Sequence, residues 1–132
     1  MQEKTIQEYC RLIDKLDSGE GVRSNSISKV LDLSKNTVAL TLQKLNKEKY
    51  VHMERYGKVR LTPKGSKIAK NMNFKHRVLE AFFFSKLKMD KKKIHVEACA
   101  IEHWASDEMV EKLYRFIGKP KIDPHGKKVE AF

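Results

Sequence analysis

The chain has 132 residues, which is enough for one ordinary domain or for two small ones. Its formal net charge of +11 favours a polyanionic partner, although charge alone leaves nucleic acid, anionic membrane and acidic protein open. Two cysteines are too few for a disulfide scaffold, no apolar run approaches the ~20 residues of a membrane span, and the charged N-terminus is unlike a signal peptide, so we expect a cytoplasmic protein with no membrane partner.

The first third of the chain predicts three helices. Apolar residues recur at helical spacing over 3–17, and the run Asp17-Ser18-Gly19-Glu20-Gly21 ends that helix. A second helix is predicted over 25–31, and a tight turn over 32–34 follows it. Ser34 at the end of this turn is a suitable cap for a third helix over 35–48.

The middle of the chain predicts a β-hairpin, and the remainder predicts only helices. Segments 50–54 and 58–61 alternate as short strands around a turn at 55–57. Thr62 and Pro63 then begin a long helix that is expected to reach about residue 87. Two more helices are expected over 94–104 and 107–117, followed by an irregular tail from residue 119.

The order helix, turn, helix, hairpin is typical of a winged helix-turn-helix, whose recognition helix enters a DNA major groove. Residues 1–70 carry 15 basic and 8 acidic side chains, which is most of the excess positive charge. The third helix begins with short polar donors and a lysine, and arginines flank the hairpin turn, so both regions suit phosphates and base edges. The candidate DNA-binding residues are Ser34, Lys35, Asn36, Thr37, Arg55 and Arg60. The alternative is a helical cluster with a charged surface and no role in DNA binding.

The second half of the chain concentrates side chains of metal-ligand type. His95, Cys99, Glu102 and His103 fall within an arc of roughly 100° on one predicted helix. A second group, His76 with Glu80, lies four residues apart on a core-facing stripe, where polar groups are unfavourable unless something satisfies them. Thiolate, imidazole and carboxylate together suit a divalent transition metal. A buried histidine–glutamate hydrogen bond is the alternative for the second group.

Two rival functions remain open at this point. A His/Cys/Glu cluster is also compatible with a small metalloenzyme, but the His-Glu-x-x-His spacing of zinc hydrolases and the paired Glu-x-x-His of di-iron bundles are absent. We therefore expect no enzyme and no small-molecule substrate. The other rival is a winged-helix regulator with structural histidines, which would bind DNA equally with and without metal.

The chain resembles the diphtheria toxin repressor family, which includes the iron-dependent and manganese-dependent repressors, in a short form without their third, barrel-like domain. The resemblance covers nearly the whole chain. It is carried by Glu8-Tyr9, Leu61-Thr62-Pro63-Lys64-Gly65, His76-Arg77 with Glu80, His95-Val96-Glu97-Ala98-Cys99, Glu102-His103, Asp107-Glu108 and Asp123-Pro124-His125-Gly126.

The resemblance implies a fold that is mostly α with a small β-hairpin wing. An N-terminal winged helix-turn-helix DNA-binding domain is expected over 1–62, and a C-terminal helical metal-binding and dimerisation domain over 63–132. The implied primary metal ligands are Glu8, Cys99, Glu102 and His103. The implied ancillary ligands are His76, Glu80 and His95.

The resemblance also implies a metal-dependent transcriptional regulator, a repressor that binds operator DNA as a homodimer when loaded with iron or manganese. Metal and DNA would then favour the same conformer, so each would strengthen binding of the other. Because the Cys99 thiolate is a softer ligand than manganese prefers, we expect iron(II) to be favoured over manganese(II).

Overall fold

The computed structural model describes residues 1–130, and the chain divides into two compact units, Met1–Lys70 and Asn71–Phe132. The last two residues of the predicted domain 63–132 lie outside the described residues. The division falls inside the long helix that begins at Pro63. It does so because Ala69, on the first turns of this helix, is buried in the core of the first unit. The predicted fold class, mostly α with a small β wing, is confirmed.

The first unit contains three helices and a three-stranded antiparallel sheet. The helices are α1 (Glu3–Leu16), α2 (Ser24–Leu31) and α3 (Lys35–Lys47), and the strands are β1 (Val22–Arg23), β2 (Val51–Met53) and β3 (Lys58–Leu61). Strand β3 lies at the centre, between β1 and β2, and a short 3₁₀ turn over Arg55–Gly57 joins β2 to β3. The hairpin was predicted, whereas β1 was not, because two residues carry no strand periodicity.

The core of the first unit explains the local sequence pattern. Ile13, Ile27 and Leu42, one from each helix, are fully buried together. Cys10 belongs to the same core, and burial raises the pKa of its thiol to about 12, so it is an unreactive packing residue. The predicted cap is confirmed, since the Ser34 side chain accepts a hydrogen bond from the Thr37 backbone N–H at 3.1 Å.

The long helix α4 (Pro63–Ser85) begins in close contact with the hairpin. The Thr62 hydroxyl accepts a hydrogen bond from the Gly65 N–H at 3.2 Å, which confirms Thr62 as the cap. At Gly65 the helix passes so close to the Tyr50 backbone that an added Cβ would collide with the Tyr50 carbonyl oxygen. Glycine is therefore required here for close approach.

The second unit packs the remainder of α4 against α5 (Lys91–Ile101) and α6 (Asp107–Phe116). Helix α5 begins at Lys91 and not at the predicted Ile94, because the Asp90 side chain caps it by accepting from the Lys92 N–H at 2.9 Å. It also ends at Ile101, so Glu102 and His103 lie in the following turn and not on the helix as predicted.

Residues 119–130 form no helix or strand, as predicted, yet this tail of the second unit has a fixed course. A bridge pairs Ile122 with Lys128, and the buried Val129 side chain joins the core of the unit. The Arg77 guanidinium on α4 donates to the Lys128 carbonyl at 2.7 Å. These contacts hold the segment 121–129 against the unit.

We predict that Gly65→Ala destabilises the protein, although alanine is ordinarily the better helix former. The new methyl group must displace the Tyr50 carbonyl, and overpacking of this kind costs about 1–3 kcal/mol. Thermal unfolding of Gly65→Ala and of the exposed control Lys67→Ala measures the effect. An unfolding midpoint of Gly65→Ala equal to or above that of the control would contradict the prediction.

Candidate metal centre and nucleic-acid interface

Side chains of metal-ligand type from four segments converge in the second unit. Helix α4 contributes His76 and Glu80, α5 contributes His95 and Cys99, the turn after α5 contributes Glu102, and the tail contributes Asp123 and His125. Four of these residues are buried and three are exposed at the surface, so the cluster lies at the edge of the core. The members of the buried set are His76, Glu80, Glu102 and Asp123.

The His76 imidazole lies between two buried carboxylates. Its Nε2 contacts Glu80 Oε1, one helical turn further along α4, and its Nδ1 lies 2.6 Å from Glu102 Oε2. The histidine–glutamate contact expected as the alternative to a metal is therefore present. Both ring nitrogens face oxygen, so either protons or a metal cation can satisfy these groups.

A first set of possible ligands combines His76, His95 and Cys99, whose donor atoms all lie within 4.8 Å of one another. Cys99 Sγ lies 3.6 Å from His95 Nε2, because the two residues are one turn apart on α5. The rings of His76 and His95 meet edge to face, with centroids 4.8 Å apart. Two imidazoles and a thiolate are a donor set for a borderline or soft divalent metal.

A second set combines Glu80, Asp123 and His125, whose donor atoms also lie within 4.8 Å of one another. Asp123 Oδ1 accepts from the backbone N–H groups of His125 at 2.9 Å and of Lys127 at 2.8 Å, which fixes the tail around the site. These bonds occupy one oxygen of Asp123. Two carboxylates and an imidazole form a harder donor set than the first.

The environment of one Glu80 oxygen is compatible with a cation at the second set. Glu80 is 2% exposed, and its Oε2 is buried without a hydrogen-bond partner among the described residues. His125 Nδ1 lies 2.8 Å away but lacks hydrogen-bond geometry. When His125 Nε2 donates to the Lys91 carbonyl, 3.3 Å away, a neutral ring presents only a lone pair at Nδ1. Two lone pairs at this separation repel each other, so the contact needs either a proton on Nδ1, which makes it an ion pair, or a bound cation.

The structure groups the predicted ligands differently from the sequence. Cys99 lies with His76 and His95, which were assigned to the ancillary group, and Glu102 lies against His76. His103 is partly buried in the turn after α5. Glu8 belongs to α1 of the other unit, where Lys4 Nζ lies 3.9 Å from its carboxylate.

Two site residues, Asp123 and His125, were not among the predicted ligands. The segment Asp123-Pro124-His125-Gly126 was the available signal, since it was one of the motifs carrying the family resemblance. Its place beside Glu80 depends on the course of the tail, which has no periodicity to predict it.

The candidate DNA-binding residues lie on two exposed parts of the first unit. The first turn of α3 presents Lys35, Asn36 and Thr37 to solvent. In the hairpin Arg55 is exposed, and the neighbouring Tyr56 is 90% exposed.

Arg60, by contrast, already has partners within the first unit. It pairs with the Glu54 carboxylate, and its Nη1 donates to the Gly19 carbonyl at 2.7 Å. It therefore ties β3 to the loop after α1.

Among residues 1–130, no helix is long and apolar enough to cross a membrane.

Comparison with known protein families accounts for both units. Residues 1–59 match the family model described as the iron dependent repressor N-terminal DNA-binding domain. Residues 62–130 match the model described as the iron dependent repressor metal-binding and dimerisation domain.

Individual proteins show the same similarity. The HTH-type transcriptional regulator MntR of Bacillus pumilus is 32% identical over 121 residues, which are 89% of this chain and 83% of the relative. The solved structure of the manganese regulator SloR is 31% identical, with a TM-score of 0.82 over 96% of this chain. The structure of ScaR with bound Zn²⁺ is 28% identical, with a TM-score of 0.86 over 96% of this chain. The chain spans 59% of the length of each of these two structures.

Proposed function

The chain belongs to the iron-dependent repressor family of metal-dependent transcriptional regulators, and we propose that it binds operator DNA as a homodimer when it is loaded with a divalent metal. The observation that carries the proposal is the convergence of seven ligand-type side chains in the metal-binding unit, including a buried Glu80 oxygen that accepts no hydrogen bond from residues 1–130 and faces His125 Nδ1 at 2.8 Å. Such an oxygen is costly unless a cation satisfies it.

We propose that two metal sites share the cluster. His76, His95 and Cys99 supply nitrogen and sulfur donors to the first, and Glu80, Asp123 and His125 supply the second. Glu102 contacts His76 and is available to the first site. A bound divalent cation would supply the positive charge that joins donors from α4, α5 and the tail.

Glu8 and His103 are the remaining proposed ligands. The family resemblance assigns both to the primary site together with Cys99 and Glu102. A ligand from Glu8 would make the orientation of α1, and with it the presentation of α3 to DNA, depend on metal. By linkage, metal and DNA would then strengthen each other's binding.

We propose iron(II) ahead of manganese(II) as the activating metal at the Cys99 site. A thiolate with two imidazoles favours iron over the harder manganese ion. The carboxylate-rich Glu80 site suits either ion. SloR is described as a manganese regulator and ScaR has been solved with Zn²⁺, so a range of divalent metals should occupy such sites in vitro.

The DNA-binding surface is proposed to consist of the first turn of α3 and the tip of the hairpin. Lys35, Asn36 and Thr37 would approach bases and phosphates in the major groove, and Arg55 would approach the flanking backbone. The two recognition helices of a homodimer would read half-sites about one helical turn (~34 Å) apart, or a multiple of it.

The decisive experiment measures DNA binding by the chelator-stripped protein during titration with iron(II), under anaerobic conditions, and with manganese(II). The probe is DNA from upstream of its own gene, at fixed salt. We expect at least tenfold tighter binding with one of the metals, which is about 1.4 kcal/mol of coupling. Cys99→Ala should lose the effect of iron while keeping its fold. Equal DNA binding with and without metal would instead support a metal-independent winged-helix regulator with structural histidines.

We predict that Asp123→Asn removes one of two bound metal ions. Asparagine keeps the oxygen that accepts the backbone N–H groups of His125 and Lys127, so the tail stays in place while a carboxylate ligand is lost. Equilibrium dialysis with manganese(II) measures the stoichiometry, and Glu130→Gln, an exposed change in the same segment, is the control. An unchanged stoichiometry in Asp123→Asn would remove the second site from the proposal.

We predict that Arg55 and Arg60 act differently in DNA binding. Arg55→Gln should weaken DNA binding and reduce the slope of log affinity against log salt by about 1, without changing stability, because an exposed cation is lost. Arg60→Gln should lower the unfolding midpoint, because it breaks the contacts to Glu54 and Gly19. Salt-dependent binding and thermal unfolding separate the two. Equal loss of stability in both variants would contradict this distinction.

A further inference from the structure

Lys75 is a buried cation that attaches helix α4 to the segment after α5. The residue is 6% exposed, and its Nζ donates to the Ala105 carbonyl at 2.6 Å and pairs with Asp107 Oδ1 at 3.0 Å. An unpaired ammonium would be costly in this position, because burial removes its hydration. The two oxygens are therefore specific partners that determine where the segment lies on α4.

Asn71 strengthens the same attachment from one turn earlier on α4. Its amide donates to Asp107 Oδ1 at 3.1 Å. The hydrogen bond from Asn71, followed by that from Lys75, lowers the pKa of the Asp107 carboxyl, which therefore remains ionised at neutral pH. The side chain of Asp107 is largely exposed, so we assign the main holding force to the buried contact with Ala105.

The attached segment directly follows the turn that carries two proposed ligands. Helix α5 ends at Ile101, and Glu102 and His103 occupy the turn before Ala105. The turn is closed at its start by hydrogen bonds from the Trp104 and Ala105 N–H groups to the Ile101 carbonyl, at 3.0 and 3.1 Å. Its far end is held by Lys75.

The geometry links this attachment to the metal centre through adjacent residues of α4. Lys75 precedes His76, whose Nδ1 lies 2.6 Å from Glu102 Oε2. The same stretch of helix therefore holds the end of the turn and faces the carboxylate that the turn carries. If the turn moved away from α4, Glu102 would leave His76.

We propose that Lys75 is a positioning residue for the metal centre, which holds the turn 102–105 on α4 so that Glu102 is in place at His76 before metal binds. Preorganised ligands bind more tightly because less conformational entropy is lost on binding. The inference rests on the proposed function, since it assumes that a divalent metal binds at this cluster.

The test compares wild type, Lys75→Met, Lys75→Arg and Val110→Ala. Methionine keeps the apolar length of the side chain without its donors, arginine keeps a cationic donor, and Val110 is a buried core residue of α6 that provides a general loss of stability. Cobalt(II) is the probe, with affinity measured against a competing chelator and the ligand set read from its absorption bands. Trp104, the only tryptophan, reports motion of the turn in the metal-free protein through time-resolved fluorescence anisotropy.

We expect Lys75→Met to bind cobalt(II) at least tenfold more weakly, with altered ligand-field bands and faster local motion of Trp104 without metal. Lys75→Arg should recover at least half of the loss on a logarithmic scale. Val110→Ala should lower the unfolding midpoint while keeping the wild-type cobalt spectrum. Cobalt(II) affinity within twofold of wild type in Lys75→Met, or an equal loss in Val110→Ala, would overturn the role of Lys75.

A further variant keeps the test decisive if Lys75→Met fails to fold. Lys75→Gln carries an uncharged donor on a side chain one bond shorter, which falls short of the Ala105 carbonyl, and we expect cobalt(II) binding about threefold weaker with faster Trp104 motion. Wild-type values for both would overturn the proposal. Failure of the wild-type protein itself to bind cobalt(II) at the cluster would refute the proposed function, and this outcome is distinct from a wild type that binds and variants that do not differ.

Discussion

The second unit depends on one unfavourable arrangement, a buried imidazole between two buried carboxylates. His76, Glu80 and Glu102 each lose hydration on folding, and their mutual contacts only partly replace it, since one Glu80 oxygen accepts no hydrogen bond among the described residues. Replacing such buried ionic groups with apolar residues of similar volume is often neutral or stabilising. The arrangement is understandable if the site exists to receive a cation, and the surrounding elements can be explained as means of holding these three side chains together.

Each element that carries a proposed ligand is also held by contacts of residues that are not proposed ligands. Asp90 caps α5 and so begins the helix that bears His95 and Cys99. Arg77 holds the tail through the Lys128 carbonyl, and Lys75 holds the turn after α5 through the Ala105 carbonyl. These two basic residues flank His76 on α4. Polar groups beside the ligands thus orient them, as the outer shells of metal sites generally do.

Much of the fold and part of the candidate site could be predicted from the sequence, because helical periodicity or residue spacing carries the information there. The winged fold followed from helical stripes and a hairpin, and the pairing of His76 with Glu80 followed from a spacing of one turn. The end of α5 could not be predicted, because Glu102 and His103 continue the helical ligand pattern beyond Ile101, where the helix stops. Asp123 and His125 were not among the predicted ligands, because their place beside Glu80 depends on the bridge between Ile122 and Lys128, a tertiary feature. The contact between Arg60 and the Gly19 carbonyl could not be predicted either, because the two residues are distant in sequence.

The contacts that the ligand-type side chains make with one another without metal should set the metal concentration at which the protein responds. Because His76 binds a metal through one ring nitrogen, the carboxylate contact at that nitrogen must be exchanged when a metal binds. This contact therefore competes with the cation and weakens its apparent affinity. Glu80 Oε2 has the opposite effect, because it accepts no hydrogen bond from the described residues that a cation would have to displace. A metal sensor needs both effects. A site whose groups all have partners would bind metal too weakly to respond, and a site whose groups have none would be filled at every metal concentration. The donor sets also differ, with a thiolate in one and two carboxylates in the other, so the two sites should reach half-occupancy at different metal concentrations.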